Sequence, residues 1–284
     1  MLNLYKKAVK KKNGLASLLN GEILSIKYHS IFDYPLNFTD LVRWTAFPSL
    51  DLEVLPDIKN RNGYYFLEGK EGSIYKRLLH KRISVKKLEI AKDASKILSF
   101  IPGVKMIAIT GSLAMENSSG ESDIDLMIVT KKGSLWTTRL FVYMVIHAFG
   151  LSSRRPNDLY QKDKLCLNMW LDESDLIWDK KDRNIYTAHE IAQIVPLVNK
   201  NNTYERFLYQ NRWILKFWPN SVKIGNWKLE IGNSTTIPKF IEWVCYKVQF
   251  QYMMPKVTRE VVEPTRALFH PQDWGKIVLK RLDS

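Results

Sequence analysis

Two aspartates, two residues apart on an otherwise apolar strand, constrain this chain more than any other feature. They lie near the end of residues 106–130, MIAITGSLAMENSSGESDIDLMIVT. Residues 106–110 form a short apolar run of strand type. Gly111 and Ser112 break the run and open a short helical piece over 113–117, followed by a polar loop over 117–122. A second strand is predicted from Asp123 to about Val129. In it Ile124, Leu126 and Ile128 share one parity, and Asp123, Asp125 and Met127 the other. Side chains alternate along a strand, so both carboxylates emerge on one face, one pleat apart. A half-buried strand carries two like charges on one face only where something cationic neutralises them.

Two hard oxygen donors at that spacing suit Mg²⁺ bound together with substrate phosphates. Gly111 has no side chain to keep a ligand away from the backbone. Ser112 can offer its hydroxyl and N–H to a phosphate where a helix opens. The first half of the stretch would hold phosphates and the second half the metal that bridges them.

Gly-Ser, ten residues, then Asp-x-Asp, in the order strand–turn–helix–loop–strand, resembles the signature of the nucleotidyltransferase superfamily that includes DNA polymerase beta and the kanamycin nucleotidyltransferases. The resemblance implies an α+β fold with a small mixed β-sheet core backed by helices. It implies that Gly111 and Ser112 hold nucleotide phosphates and that Asp123 and Asp125 coordinate one or two Mg²⁺ ions. Members carry a third carboxylate on a later strand, and Asn168 stands at the expected place here. The wider order of segments, closing on FHPQDWGK, is similar to a group of prokaryotic nucleotidyltransferase-domain proteins.

Composition narrows the class. With 45% hydrophobic and 12% aromatic residues the chain can bury a core and is not a disordered segment. Cys166 and Cys245 lie far apart in apolar settings and read as buried thiols, neither a disulfide nor a metal site. The start, MLNLYKKAVKKK, lacks the apolar core of a signal peptide. The most apolar stretch, 140–151, is shorter than the roughly 20 residues that span a bilayer. A cytoplasmic location and no membrane span are expected. The net charge of +14 suits a polyanionic partner or an anionic substrate such as a nucleoside triphosphate.

Three regions are expected. Residues 1–73 hold a basic arm and a winged-helix-like module: a helix with Leu18, Leu19, Ile23, Ile26 and Ile31 on one face, a second helix capped by Asn37 or Thr39, a third over 50–55, and a hairpin around Asn62-Gly63. The third helix carries Asp51 and Glu53, with Asp57 just beyond, so sequence-specific DNA binding is not expected. Residues 74–185 hold the nucleotidyltransferase core, led by a helix over 74–100. That helix shows apolar spacing at Ile74, Leu78, Val85, Leu88, Ala91, Ala94 and Leu98, and a solvated basic face. An apolar helix over 135–151, a basic loop at Arg154-Arg155 and a strand over 165–171 follow. In that strand Leu165, Leu167, Met169 and Leu171 are expected on one face, with Cys166, Asn168 and Trp170 on the other.

Residues 186–284 read as a C-terminal helical region, with helices over 188–197, 204–218, 238–252 and 261–269 and a helix-ending packing motif at 269–275. His189-Glu190 is not a metalloprotease motif, because Gln193 replaces the second histidine. Two functions remain open from the sequence. One is Mg²⁺-dependent transfer of a nucleotidyl group from a nucleoside triphosphate, ATP in the first instance, to an unidentified acceptor: a small molecule, a protein or RNA. The other is a catalytically degenerate nucleotide-sensing or nucleic-acid-binding regulator.

Overall fold

A computed structural model describes residues 20–46, 57–155, 158–225, 237–256, 260–269 and 273–283 of the 284-residue chain. Helix α1 spans Asn20–Ser30, strand β1 Leu36–Asn37 and helix α2 Phe38–Arg43. Asn37 caps α2 by accepting from the Asp40 N–H while the Asp40 carboxylate accepts from the Asn37 N–H, a reciprocal capping box. Strands β2 (Ile58–Arg61) and β3 (Tyr64–Leu67) form an antiparallel hairpin. Its turn residues Asn62 and Gly63 have φ of 53° and 78°, the left-handed pair that a two-residue hairpin turn requires. The strand order β1-β3-β2 makes a small antiparallel sheet. The helix expected over 50–55 lies outside the described residues.

Helix α3 spans Gly72–Ser99. Its solvated and buried faces differ from the sequence expectation. Leu78 and Val85 are exposed, whereas Arg77, Ser84, Lys87 and Ser95 are buried. The apolar spacing misleads because the charged heads find partners inside. Arg77 donates to the Pro35 carbonyl and the Asp40 carboxylate and stacks over Tyr34, tying α3 to the N-terminal sheet region. Lys87 reaches the polar loop described below. Ile74 at the N-terminal end is buried as expected, and the C-terminal half, with Ala91, Ala94 and Leu98 in the core, follows the apolar pattern.

The remaining elements build a six-stranded mixed sheet, order β7-β4-β5-β6-β9-β8. They are β4 (Val104–Ile109), helix α4 (Gly111–Ala114), β5 (Ile124–Thr130), helix α5 (Leu135–Ala148) and β6 (Leu165–Asp172). Then come helix α6 (Ile185–Ala192), β7 (Val195–Asn199), helix α7 (Thr203–Gln210) with a 3₁₀ turn at Arg212–Lys216, and helix α8 (Lys239–Met253). Strands β8 (Val261–Glu263) and β9 (Arg266–Leu268) and helix α9 (Trp274–Asp283) close the chain. β5 and β6 are parallel, as their crossover through α5 demands, and the other pairings are antiparallel.

The region after residue 186 is therefore not purely helical. The helix expected over 188–197 stops at Ala192, and its tail becomes β7, paired only with β4. An edge strand tolerates Pro196, which a helix interior does not. The helix expected over 261–269 is the β8–β9 hairpin, where Val261 and Val262 precede Pro264. The helix expected over 204–218 is α7 followed by the tighter 3₁₀ turn. The motif at 269–275 joins a strand to a helix rather than ending one, with residues 270–272 outside the described set.

Each face of the sheet is a core. Ile107, Ile109, Leu126, Ile128 and Trp170 pack with α3 and α5 residues such as Leu98 and Trp136. Met106, Ala108, Met127, Val129, Met169 and Leu171 pack on the other side with α1, α6 and α7 residues such as Ile26, Ile191 and Phe207. On that second side, His29 and His189 lie among Tyr28, Trp44 and Trp218, with Nε2 atoms 3.1 Å apart. No helix among the described residues is long and apolar enough to cross a membrane.

β6 breaks its expected alternation. Asp125 pairs with Cys166 but Met127 pairs with Met169, so β6 carries one extra residue. This bulge moves Met169 and Leu171 to the face opposite Leu165 and Leu167, while Trp170 joins the latter.

Candidate functional site

The site forms where β4 and β5 meet the bulge of β6. β4 ends at Ile109, and the Thr110 N–H donates to the Asp125 carbonyl. Gly111 follows with φ of +59°, and a Cβ there would stand 2.8 Å from Asp125 Oδ2. Glycine is thus required both by conformation and by the carboxylate lying against the backbone. Ser112 is the second residue of α4; its Oγ is 3.3 Å from Ser118 Oγ, and its carbonyl accepts from the Asn117 N–H. The turn therefore folds back on itself directly beside Asp125.

The loop over 117–122 is held from α3. The Ser118 N–H donates to Ser84 Oγ, and His80 Nδ1 is 3.0 Å from Asn117 Oδ1. Lys87, 1% exposed at its side chain, donates to the Ser122 carbonyl and to Asp163, each at 2.6 Å. The helix read from sequence as a solvated basic rim is the clamp that fixes the loop between the two halves of the motif.

β5 starts one residue later than expected, so Asp123 stands just before the strand and Asp125 within it, and their carboxylates still come together. The Arg154 guanidinium, 2.7 Å from Asp123 Oδ2, neutralises the first. Asn168 Nδ2 donates to Asp125 Oδ1 at 2.6 Å. Burial, reinforced by the negative charge of Asp123, lifts the Asp125 carboxyl to about 7, even though Cys166, Arg154 and Asn168 pull it down. The Cys166 thiol is pushed up by its own burial and by the two aspartates. The ligand atoms of Asp123, Asp125 and Cys166 lie within 4.8 Å of one another.

The structure brings together all five residues singled out in the sequence: Gly111, Ser112, Asp123, Asp125 and Asn168. It leaves Asp172 apart, where it accepts from the Gly133 and Ser174 N–H groups as a turn cap. Four further residues carry no such signal in the sequence. There Arg154 is only part of a basic loop, Cys166 a buried thiol and Lys87 one charge of a solvated basic face. Glu190 is only part of an absent zinc motif. It stands on α6 with Gln193 Nε2 donating to Oε1, and burial followed by repulsion from Asp125 raises its carboxyl to about 8. On α6, His189 packs into the aromatic core, while Glu190 is near enough to Asp125 for the two charges to repel. No sequence signal gives that placement, which depends on how α6 packs.

Chemically the site offers two close hard carboxylates, a third carboxyl with an elevated pKa, a thiol, a guanidinium and a tight glycine turn. No protein-family model matches this chain, and no curated protein matches it.

Proposed function

We propose that the chain transfers a nucleotidyl group from a nucleoside triphosphate, ATP in the first instance, to an acceptor nucleophile. The observation that carries this reading is the Asp123–Asp125 pair at the start of β5, its ligand atoms within 4.8 Å of each other, with the Gly111 turn closed against Asp125. The donor set fits a divalent cation. Both carboxylates are compensated by cationic or N–H groups, Arg154 for Asp123 and Asn168 for Asp125, and a bound ion would meet the same need.

Asp123 and Asp125 would hold Mg²⁺, which would supply electrostatic stabilisation of the charge that develops on the leaving pyrophosphate. The rest falls to the protein. The backbone and hydroxyl of Ser112 would orient the triphosphate. Arg154, half-exposed at the mouth of the site, would turn from Asp123 toward the phosphates when a cation takes over the carboxylate. The acceptor oxygen or nitrogen forms its bond to the α-phosphorus as the bond to pyrophosphate breaks. Glu190, which feels the charge of Asp125 and whose carboxyl is raised to about 8, would receive the acceptor's proton. Such catalysis rests on positioning and electrostatics.

A second reading is favoured by one specific observation. Arg154 already pairs with Asp123 and an amide occupies the third position, which suits a nucleotide-sensing or nucleic-acid-binding regulator. Transfer of label from α-labelled ATP to a panel of small-molecule, RNA and protein acceptors, with and without Mg²⁺, separates the two. Label transfer that needs Mg²⁺ and is lost in Asp125→Asn supports the enzyme. Mg-ATP binding without transfer to any acceptor supports the regulator, and failure to bind Mg-ATP removes both nucleotide readings.

A further inference from the structure

We propose that Cys166 is a metal ligand alongside Asp123 and Asp125, and that the site therefore prefers a zinc-class divalent cation to Mg²⁺. The inference rests on the reading that the two aspartates hold a cation, and it changes which cation that is.

Three observations carry it. First, the parallel register of β5 and β6 sets Cys166 directly opposite Asp125, just before the bulge, and Sγ joins one oxygen from each aspartate in a group whose members lie within 4.8 Å of one another. Second, a positive charge already sits against that group. Arg154 Nη1 is 2.7 Å from Asp123 Oδ2 and 3.8 Å from Cys166 Sγ, so the pocket accommodates a cation touching sulfur as well as oxygen. Third, Asn168 is 8% exposed, its carboxamide lies against Asp125, and its Oδ1 is buried without a hydrogen-bond partner. A half-turn of that carboxamide exchanges its two ends and presents a neutral oxygen toward the same place. An orphaned buried acceptor beside two carboxylates fits a cation that it helps to bind.

The donor set then reads as two carboxylates, one sulfur and one amide oxygen. Mg²⁺ takes oxygen ligands in a near-octahedral shell and gains little from sulfur. Zn²⁺ and Co²⁺ accept four ligands of mixed oxygen and sulfur and hold thiolate strongly. On binding, the Cys166 S–H bond breaks, its proton passes to solvent and the sulfur–metal bond forms, with no change of oxidation state.

Co²⁺ alone is the probe, added to the full-length Cys245→Ser protein. Of the two cysteines in the chain only Cys166 then remains; Cys245 lies on α8, outside the group of Asp123, Asp125 and Cys166. The expected result is an intense sulfur-to-cobalt charge-transfer band in the near ultraviolet. It should saturate near one equivalent, be erased by Zn²⁺, and persist in roughly hundredfold excess of Mg²⁺. Cys166→Ser should lose the band and bind Co²⁺ more than about tenfold more weakly. Bound Co²⁺ without the band in the Cys245→Ser protein overturns the inference, whether or not Cys166→Ser folds. So does displacement of Co²⁺ by equimolar Mg²⁺. Calorimetric titration with Mg-ATP distinguishes the two readings. The band without Mg-ATP binding keeps this inference and removes the nucleotide one; Mg-ATP binding without the band does the reverse.

Discussion

Asn168 donates from Nδ2 to Asp125 Oδ1 at 2.6 Å, so an amide from β6 holds a carboxylate that burial makes hard to ionise. This contact helps to pull the Asp125 pKa down against burial and the charge of Asp123. Asn168→Ala should therefore move the Asp125 titration further above about 7. It should shift the pH midpoint of divalent-cation binding to higher pH by up to about one unit. Asn168→Asp should act oppositely on the metal, raising Mg²⁺ affinity on the order of tenfold by supplying a third charged oxygen. It should lower the melting temperature of the metal-free protein. Calorimetric Mg²⁺ titrations between pH 6 and 9 check both, and an unmoved midpoint in Asn168→Ala would show that the hydrogen bond contributes nothing.

Asp125→Asn should abolish Mg²⁺-dependent nucleotide binding yet stabilise the metal-free fold. A carboxyl raised to about 7 in the folded state and near 4 when unfolded favours folding only while it is protonated. The folded state then loses stability as pH rises from about 4 to about 7, and the loss is complete above that. Removing the charge recovers it, on the order of 2–4 kcal/mol at neutral pH, or several degrees in melting temperature. Thermal melts of both proteins at pH 5 and pH 8 decide the matter: the variant's advantage should be large only at the higher pH.

The histidine pair should act with the opposite sign. His29 Nδ1 lies 2.8 Å from the Ser25 carbonyl, so that nitrogen carries the proton and Nε2 accepts. His189 Nε2–H must then donate across the 3.1 Å contact. Burial pushes His29 down to about 3, and it pushes His189 well below its usual value. Both stay neutral in the folded state while the unfolded chain takes up protons below about pH 6.5. Stability carried by the pair is present above that pH and is lost on acidification toward about 3. The loss approaches ~2.7 kcal/mol per pH unit for two protons. In wild type the raised carboxyls of Asp125 and Glu190 offset much of this between pH 5 and 6. The effect is therefore read as a difference: the urea stability of wild type minus that of His29→Gln should fall with acid, by about one proton's slope. A difference independent of pH would show that the histidine titrates normally.

Lys87→Met should loosen the loop over 117–122 while leaving α3 helical. It removes the donor to the Ser122 carbonyl and to Asp163. Losing these buried charge-assisted bonds costs about 1–3 kcal/mol. Amide exchange of residues 117–123 should accelerate more than that of β4 or β5, and Mg-ATP affinity should drop several-fold. Uniform acceleration across the sheet would instead mark Lys87 as a general stabiliser.

What the sequence determined by itself was the local frame of the site. Period-two alternation put Asp123 and Asp125 on one face, and a glycine-serine break dictated a turn before them. The crossover through a long apolar helix made β5 and β6 parallel neighbours, which brought Asn168 beside Asp125. These follow from short-range rules of backbone geometry and connection length. Tertiary structure alone decided the rest. The bulge in β6 reversed an alternation that the letters LCLNMWL present as regular. Pairing with β4 drew Val195–Asn199 out of a helical reading into an edge strand. Arg154, Lys87 and Glu190 gained their roles from partners 31, 76 and about 65 residues away in sequence, distances over which no local pattern operates. A charged side chain goes inside only when a specific acceptor is waiting for it. That acceptor is assembled by packing, after the local choices have been made.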